Sequence, residues 1–236
     1  MKIKRLLTLT LLVILINLLT VTPSLALKLE EGMTWSYVVK LNGQLFCLNK
    51  VTVTGRDETD DETVWTFKDE YFYKIIIEET TQEYRGQYII RLRDDCTLIS
   101  AENTINLNGQ NLTYTLIEET EDGYVFFETA DGEMQTNRIR TKEPLYLYDH
   151  SHPWLIELLL KRQISPEKAC RAISPSGQVI QIKHLDNSWL TQKETEGYHY
   201  LAHNDRIYVN FEQTVMRIDT EEFGVSEFMI GEDFSE

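Results

Sequence analysis

From Thr34 onward the chain alternates apolar and polar residues with a period of two, the pattern of half-buried strands. The run "TWSYVVKL" is followed by Asn42-Gly43 and then by "QLFCLNKVTVT". Asn-Gly supplies the two positive-φ positions of a type I′ turn, so this stretch predicts a β-hairpin. "TVWTF", "EYFYKIIIEE" and "GQYIIRLR" continue as strands rich in β-branched and aromatic residues. "TLISAENTINL", Asn108-Gly109 and "QNLTYTLIEE" repeat the hairpin signal, and Asp122-Gly123 and Asp131-Gly132 bracket "YVFFETA" with two more tight turns. The C-terminal part carries "KACRAIS", a turn at Pro175-Ser176-Gly177, "QVIQIKHL", "YHYLAH", Asn204-Asp205, "RIYVNF", "TVMRID" and "VSEFMI". The expected fold is mainly β: an antiparallel curved sheet or half-open barrel of roughly a dozen strands in meander connection.

One segment breaks the period. "DHSHPWLIELLLKR", Asp149 to Arg162, predicts a helix over about 153–162. Pro153 suits the first helical position, where its missing N–H costs nothing, with Ser151 or His152 as cap. At about 100° per residue, Trp154, Leu155, Ile156, Leu158, Leu159 and Leu160 span an arc of roughly 240°, and Glu157 and Lys161 take the rest. A helix this apolar must be covered on most sides, so it belongs in the hollow of a curved sheet or in the mouth of a barrel. If that hollow holds an apolar ligand, Trp154, Leu155, Leu158 and Leu159 are the residues to touch it.

The polar doorway of this helix is the other candidate for chemistry. Asp149, His150 and His152 are ligand-type residues, and His199 and His203 share strand parity. No third ligand stands at a diagnostic spacing and no His-Glu-x-x-His occurs, so no metal is expected. There is no Gly-x-Ser-x-Gly elbow, no phosphate-cradling loop and no Cys–His pair with a local signature. The acidic run Asp57–Glu62 lacks calcium-loop spacing and reads as a solvated turn. The expectation is a non-enzyme without cofactors.

The first residues change the picture of where the chain works. Lys2, Lys4 and Arg5 precede an uncharged Leu-rich run, Leu6 to Val21, and then Pro23 and Ser24-Leu25-Ala26. That is the layout of a secretory signal peptide, residues 1–26, cleaved after Ala26. Of 236 residues, removing 26 leaves 210, enough for a single β domain over 27–236, with 149–163 as the place where two halves would join. Turns at Gly43-Gln44, Gly109-Gln110 and Gly177-Gln178 fit an internal duplication or simply the glycine that hairpins want. Without Lys2, Lys4 and Arg5 the 23 Lys and Arg fall to 20 against 38 Asp and Glu, a net charge of −18. Such a surface repels nucleic acid and anionic lipid headgroups, and no nucleic-acid partner is expected. Cys47, Cys96 and Cys170 fit no zinc spacing; in an exported chain two of them could pair, or all could be buried apolar residues.

"EEGMTWSYVVKLNGQ", Glu30 to Gln44, with its Trp-x-Tyr-x-Val strand and Asn-Gly turn, resembles the start of a secreted bacterial β-domain of unknown function found ahead of transglutaminase-like enzymes. "ISPSGQVIQIKHL" and "MRIDTEEFGVSEF" look similar to its second half. Such domains are similar in shape to the lipoprotein-localisation factors (LolA and LolB), which implies a curved sheet around a helix and an apolar concavity. Lipocalins are a weaker match: their Gly-x-Trp is replaced here by Gly32-Met33-Thr34-Trp35, and strands follow the helix. Two functions fit a secreted or extracytoplasmic protein of this kind. One is a β-protein holding a lipid or other apolar small molecule. The other is a structural or protein-interaction module of the cell envelope with a filled interior and an envelope protein as partner. The volume beside the helix separates them.

Overall fold

The structure, a computed structural model, describes residues 28–41, 44–59, 61–77, 80–107, 109–130, 132–162, 169–190, 195–210, 213–220 and 224–231. The expected signal peptide, residues 1–26, and the turn residues Asn42, Gly43, Asn108 and Asp131 lie outside the described residues.

The first half consists of β1 (Thr34–Leu41), β2 (Gln44–Glu58), β3 (Thr63–Ile77), β4 (Thr80–Arg93), β5 (Leu98–Leu107), β6 (Gln110–Thr120), β7 (Gly123–Ala130) and β8 (Glu133–Arg140). A two-residue β9 (Tyr146–Leu147) leads to the helix α1 (Pro153–Arg162). The second half is β10 (Cys170–Ile173), β11 (Val179–Leu190), β12 (Thr195–Ala202), β13 (Asp205–Asn210), β14 (Val215–Thr220) and β15 (Gly224–Gly231). They form a 15-stranded sheet ordered β8-β7-β6-β5-β4-β3-β2-β1-β15-β14-β13-β12-β11-β10-β9. Every neighbouring pair is antiparallel except β9 with β10. The chain therefore runs from β1 outward to one end, crosses to the other, and returns inward until β15 pairs with β1, Ser36 opposite Gly231.

The expected meander is present, with more strands than the dozen expected. "TVWTF" and "EYFYKIII" are one long strand, in which Lys68, Asp69 and Glu70 continue the in-and-out alternation; the last two residues of the expected run, Glu78 and Glu79, lie outside the described residues. β8, "EMQTNRIR", carries no alternation to read: it ends the sheet, and seven of its eight residues are exposed on either face.

The sheet curls over one face. Inward positions recur with period two: Cys47, Asn49, Val51 and Val53 on β2, Trp65, Phe67, Asp69 and Tyr71 on β3, and Tyr88, Ile90 and Leu92 on β4, all buried. Curling brings the approach to β9 onto the first half. Leu98 N at the start of β5 donates to Leu145 O (2.7 Å), and the Tyr124 hydroxyl of β7 donates to Leu98 O (2.9 Å) and accepts from Leu145 N (3.1 Å). Where Tyr71 lies flat across β4, the strand needs Gly86, since a Cβ there would stand 2.0 Å from the ring.

α1 fills the hollow. Its six apolar side chains, Trp154 to Leu160 without Glu157, are 1–3% exposed. Burying each contributes about 1.5–3 kcal/mol. Glu157, placed by its helical angle on the polar sector, is buried as well. No described helix is long and apolar enough to cross a membrane. None of the three cysteines is in a disulfide; Cys47 and Cys96 are buried and Cys170 half-buried.

Candidate functional site

Two groups of polar side chains meet α1 inside the sheet. The first holds its N-terminus. Asp69, fully buried on β3, receives two hydrogen bonds on one oxygen: Trp154 Nε1 and His152 Nδ1 both donate to Oδ2 at 2.7 Å. Its Oδ1 is buried with no hydrogen-bond partner. Asn49 brings its amide nitrogen within 3.1 Å of His152 Nδ1, and its Oδ1 accepts from the Cys47 thiol at 3.0 Å. Because Nδ1 gives its proton to Asp69, the Asn49 nitrogen beside it is a neighbour rather than a second donor. His152 Nε2 faces Asp149 Oδ2 at 3.7 Å, and the rings of Tyr71 and Tyr88 stand edge-on to the imidazole at 5.1 and 5.2 Å.

This arrangement suits an imidazolium, with one N–H given to Asp69 and the other turned toward Asp149. Burial alone would lower the His152 pKa, but Asp149, Asp69 and the hydrogen bond to Asp69 outweigh it and raise the pKa above its ordinary 6.5. Burial pushes the Cys47 thiol up to about 12, so it is not a nucleophile. Asp149 also accepts from Ser151 N at 2.8 Å, closing the turn that leads into Pro153. His150 stands half-buried beside this cluster. His199 stacks on Tyr208 at 4.6 Å, whereas His203 sits in the next turn with φ 55°, so the expected shared strand face is not formed.

The second group lies along the helix. Glu157 Oε2 accepts from the Tyr37 hydroxyl at 2.8 Å and Oε1 from Val215 N at 2.9 Å; Lys161 Nζ stands 3.7 Å away. Burial raises the Glu157 pKa, while Lys161 and these two donors oppose the shift. Beside it opens a cleft of about 170 Å³ walled by Met33, Trp35, Tyr37, Trp154, Glu157, Leu158 and Lys161. Trp35 meets Trp154 nearly at right angles, 76° at 6.1 Å between centroids.

Of the four residues expected to touch a ligand, Trp154 and Leu158 wall this cleft, while Leu155 and Leu159 are buried in the core away from it. Two further hollows, of about 300 and 270 Å³, lie toward the β8 end and are lined by side chains of both charges, among them Asp122, Arg138, Arg93 and Glu119.

Sequence reasoning passed over Asp69, Asn49 and Glu157. A signal for the first two existed. Both are polar residues at the inward parity of strands whose other inward residues are apolar or aromatic. Glu157 gave none, since a helical glutamate beside a lysine at i+4 is the usual solvated pair.

No family model matches the chain, and no curated protein matches it. A solved structure similar to it is that of a β-barrel-like protein of the domain of unknown function DUF1849 from Brucella abortus, with 7% identity, a TM-score of 0.44, and coverage of 84% of this chain and 95% of that one. None of these findings bears on the likeness to transglutaminase-associated domains or to the localisation factors, and no residue role is taken from them.

Proposed function

We propose that this protein is a non-catalytic, extracytoplasmic β-module of the cell envelope that works by contact with another protein rather than by carrying a lipid. The supporting observation is the filled hollow. The apolar side chains of α1 are buried almost completely, and the space beside them, about 170 Å³, falls below the ~300–1,000 Å³ of ordinary ligand pockets. His152 and Asp69 are 3% and 0% exposed and are bonded to each other beside the helix start, which favours a structural role for the groups most suited to acid–base work.

The surface best placed for a partner is β8. Its register with β7 runs from Ala130 opposite Glu133 to Gly123 opposite Arg140, and just beyond it Thr141 N donates to Asp122 O, so the odd-numbered residues of β8 turn toward β7. Met134, Thr136, Arg138 and Arg140 then present their N–H and C=O groups outward, where an incoming strand would pair. Met134 is 68% exposed on this edge. A photo-crosslinking residue at position 136, in protein exported by its own host, should give a discrete adduct. Thr136→Pro removes an outward N–H from an edge strand that tolerates proline; it should abolish the adduct formed from position 134 and leave the melting temperature within a few degrees. Adducts that persist in the proline variant, or arise equally from position 89 on β4, would refute edge pairing.

A second reading, an apolar ligand, has its foothold in the cleft beside α1, which is too small for a full acyl chain. Native mass spectrometry of gently purified protein distinguishes the two: co-purified lipid at near one-to-one ratio favours the carrier.

A further inference from the structure

We infer that the cleft between β1 and α1 is a binding site for a compact hydrophobic carboxylate, a ring or short chain of about six carbons with one anionic head. It stands apart from the reading of β8 as a partner edge, and its failure leaves that reading untouched.

The apolar end is set by the walls. Met33, Trp35, Trp154 and Leu158 supply thioether, two indoles and an isobutyl group around about 170 Å³. A dry cavity of about 150 Å³ with apolar walls holds one benzene, so this one has room for a ring or a short branched chain and no more. Trp35 is only half-buried although it packs edge-on against both Phe67 (6.4 Å) and Trp154 (6.1 Å), so one flank of its ring is left facing the hollow.

The anionic head is set by Lys161. Two polar side chains with charge reach the cleft, and they differ in what they have left to offer. Both oxygens of Glu157 are occupied, one by the Tyr37 hydroxyl and one by Val215 N. Lys161 is ion-paired with that carboxylate at a loose 3.7 Å, which leaves its other N–H groups to turn elsewhere, and its side chain is 22% exposed. Its ammonium therefore brings donors to the rim of an apolar hollow in a chain whose net charge is −15. A carboxylate at the rim would take a charge-assisted hydrogen bond from Lys161 while its hydrocarbon covers Trp35. An ammonium ligand would meet Lys161 as a like charge. Glu157, held by Tyr37 and Val215, keeps Lys161 on this side of the helix and so acts as a positioning residue.

The test uses hexanoate, 1-hexanol and hexylamine as probes on the full protein, followed by the indole N–H resonance of Trp35 and assigned with Trp35→Phe. Hexanoate should shift that resonance saturably and bind at least about tenfold more tightly than hexanol, with hexylamine weakest. Lys161→Gln, at a partly exposed position, should bring hexanoate down to the level of hexanol. Met33→Trp should fill the hollow and abolish both, with circular dichroism confirming the fold in each variant. Equal binding of hexanol and hexanoate to the unaltered protein, preference for hexylamine, or no saturable shift at all overturns the proposal. So does hexanoate binding that survives Met33→Trp unchanged, which would place it elsewhere.

Discussion

Removing the Asp69 carboxylate takes the acceptor from two buried donors at once, Trp154 Nε1 and His152 Nδ1. Asp69→Ala should therefore cost about 3–5 kcal/mol, the range for breaking a buried charged pair from one side, measured as the shift in urea unfolding. A loss under about 1 kcal/mol would mean the cluster anchors nothing. The same cluster sets a pH dependence. The folded His152 pKa lies above the unfolded 6.5, so its contribution to stability is complete below about pH 6.5 and is lost as pH rises through the folded value. Unfolding curves from pH 5.5 to 9 should show stability falling over that window relative to His152→Gln, which retains a polar side chain but cannot titrate. Equal slopes in both proteins would show that folding does not raise the His152 pKa above its unfolded value. Asp69 was visible in sequence only as a polar residue out of place, at an inward position between Phe67 and Tyr71. Its partners were not visible, because the separation of 83 residues between it and His152 is closed by the sheet rather than by any local pattern.

At the scale of elements, the helix was the most legible feature. Its proline start, its extent and its wide apolar arc all followed from spacing, and the structure has α1 at Pro153–Arg162 as expected. Leu159→Ala removes a side chain that is 2% exposed and should cost roughly 2–5 kcal/mol. Thermal unfolding checks this: an unchanged melting temperature would mean the helix does not fill the hollow. Gly86→Ala tests the sheet around it. A methyl group at that position meets the Tyr71 ring, so the ring must leave and its hydroxyl must give up Asn103 Oδ1 at 2.6 Å. We expect a loss of about 1–3 kcal/mol, as for overpacked cores, and a changed near-ultraviolet tyrosine signal; neither would change if Tyr71 lay elsewhere. β8 was the least legible element. A strand with solvent on both faces has no reason to alternate, so periodicity cannot announce it.

For the whole molecule, the N-terminal pattern predicts export and a mature chain starting at Leu27. Sequencing the N-terminus of exported protein checks this, and a retained Met1 would show the segment to be an anchor instead. What the amino-acid order determined was local: strand parity, hairpin glycines, the helix with its apolar arc, and the excess of acid. Each follows from contacts a few residues apart or from composition alone. What the tertiary structure decided was everything that depends on closure of the sheet: that β15 pairs with β1, that Glu157 is buried against Tyr37 and Val215, and that Asp69 meets His152 and Trp154. It also decided how closely α1 is enclosed: its six apolar side chains are 1–3% exposed, with a cleft of about 170 Å³ beside them. Free volume is the small difference between the space a curled sheet encloses and the side chains that enter it, and neither quantity is written in any stretch of sequence.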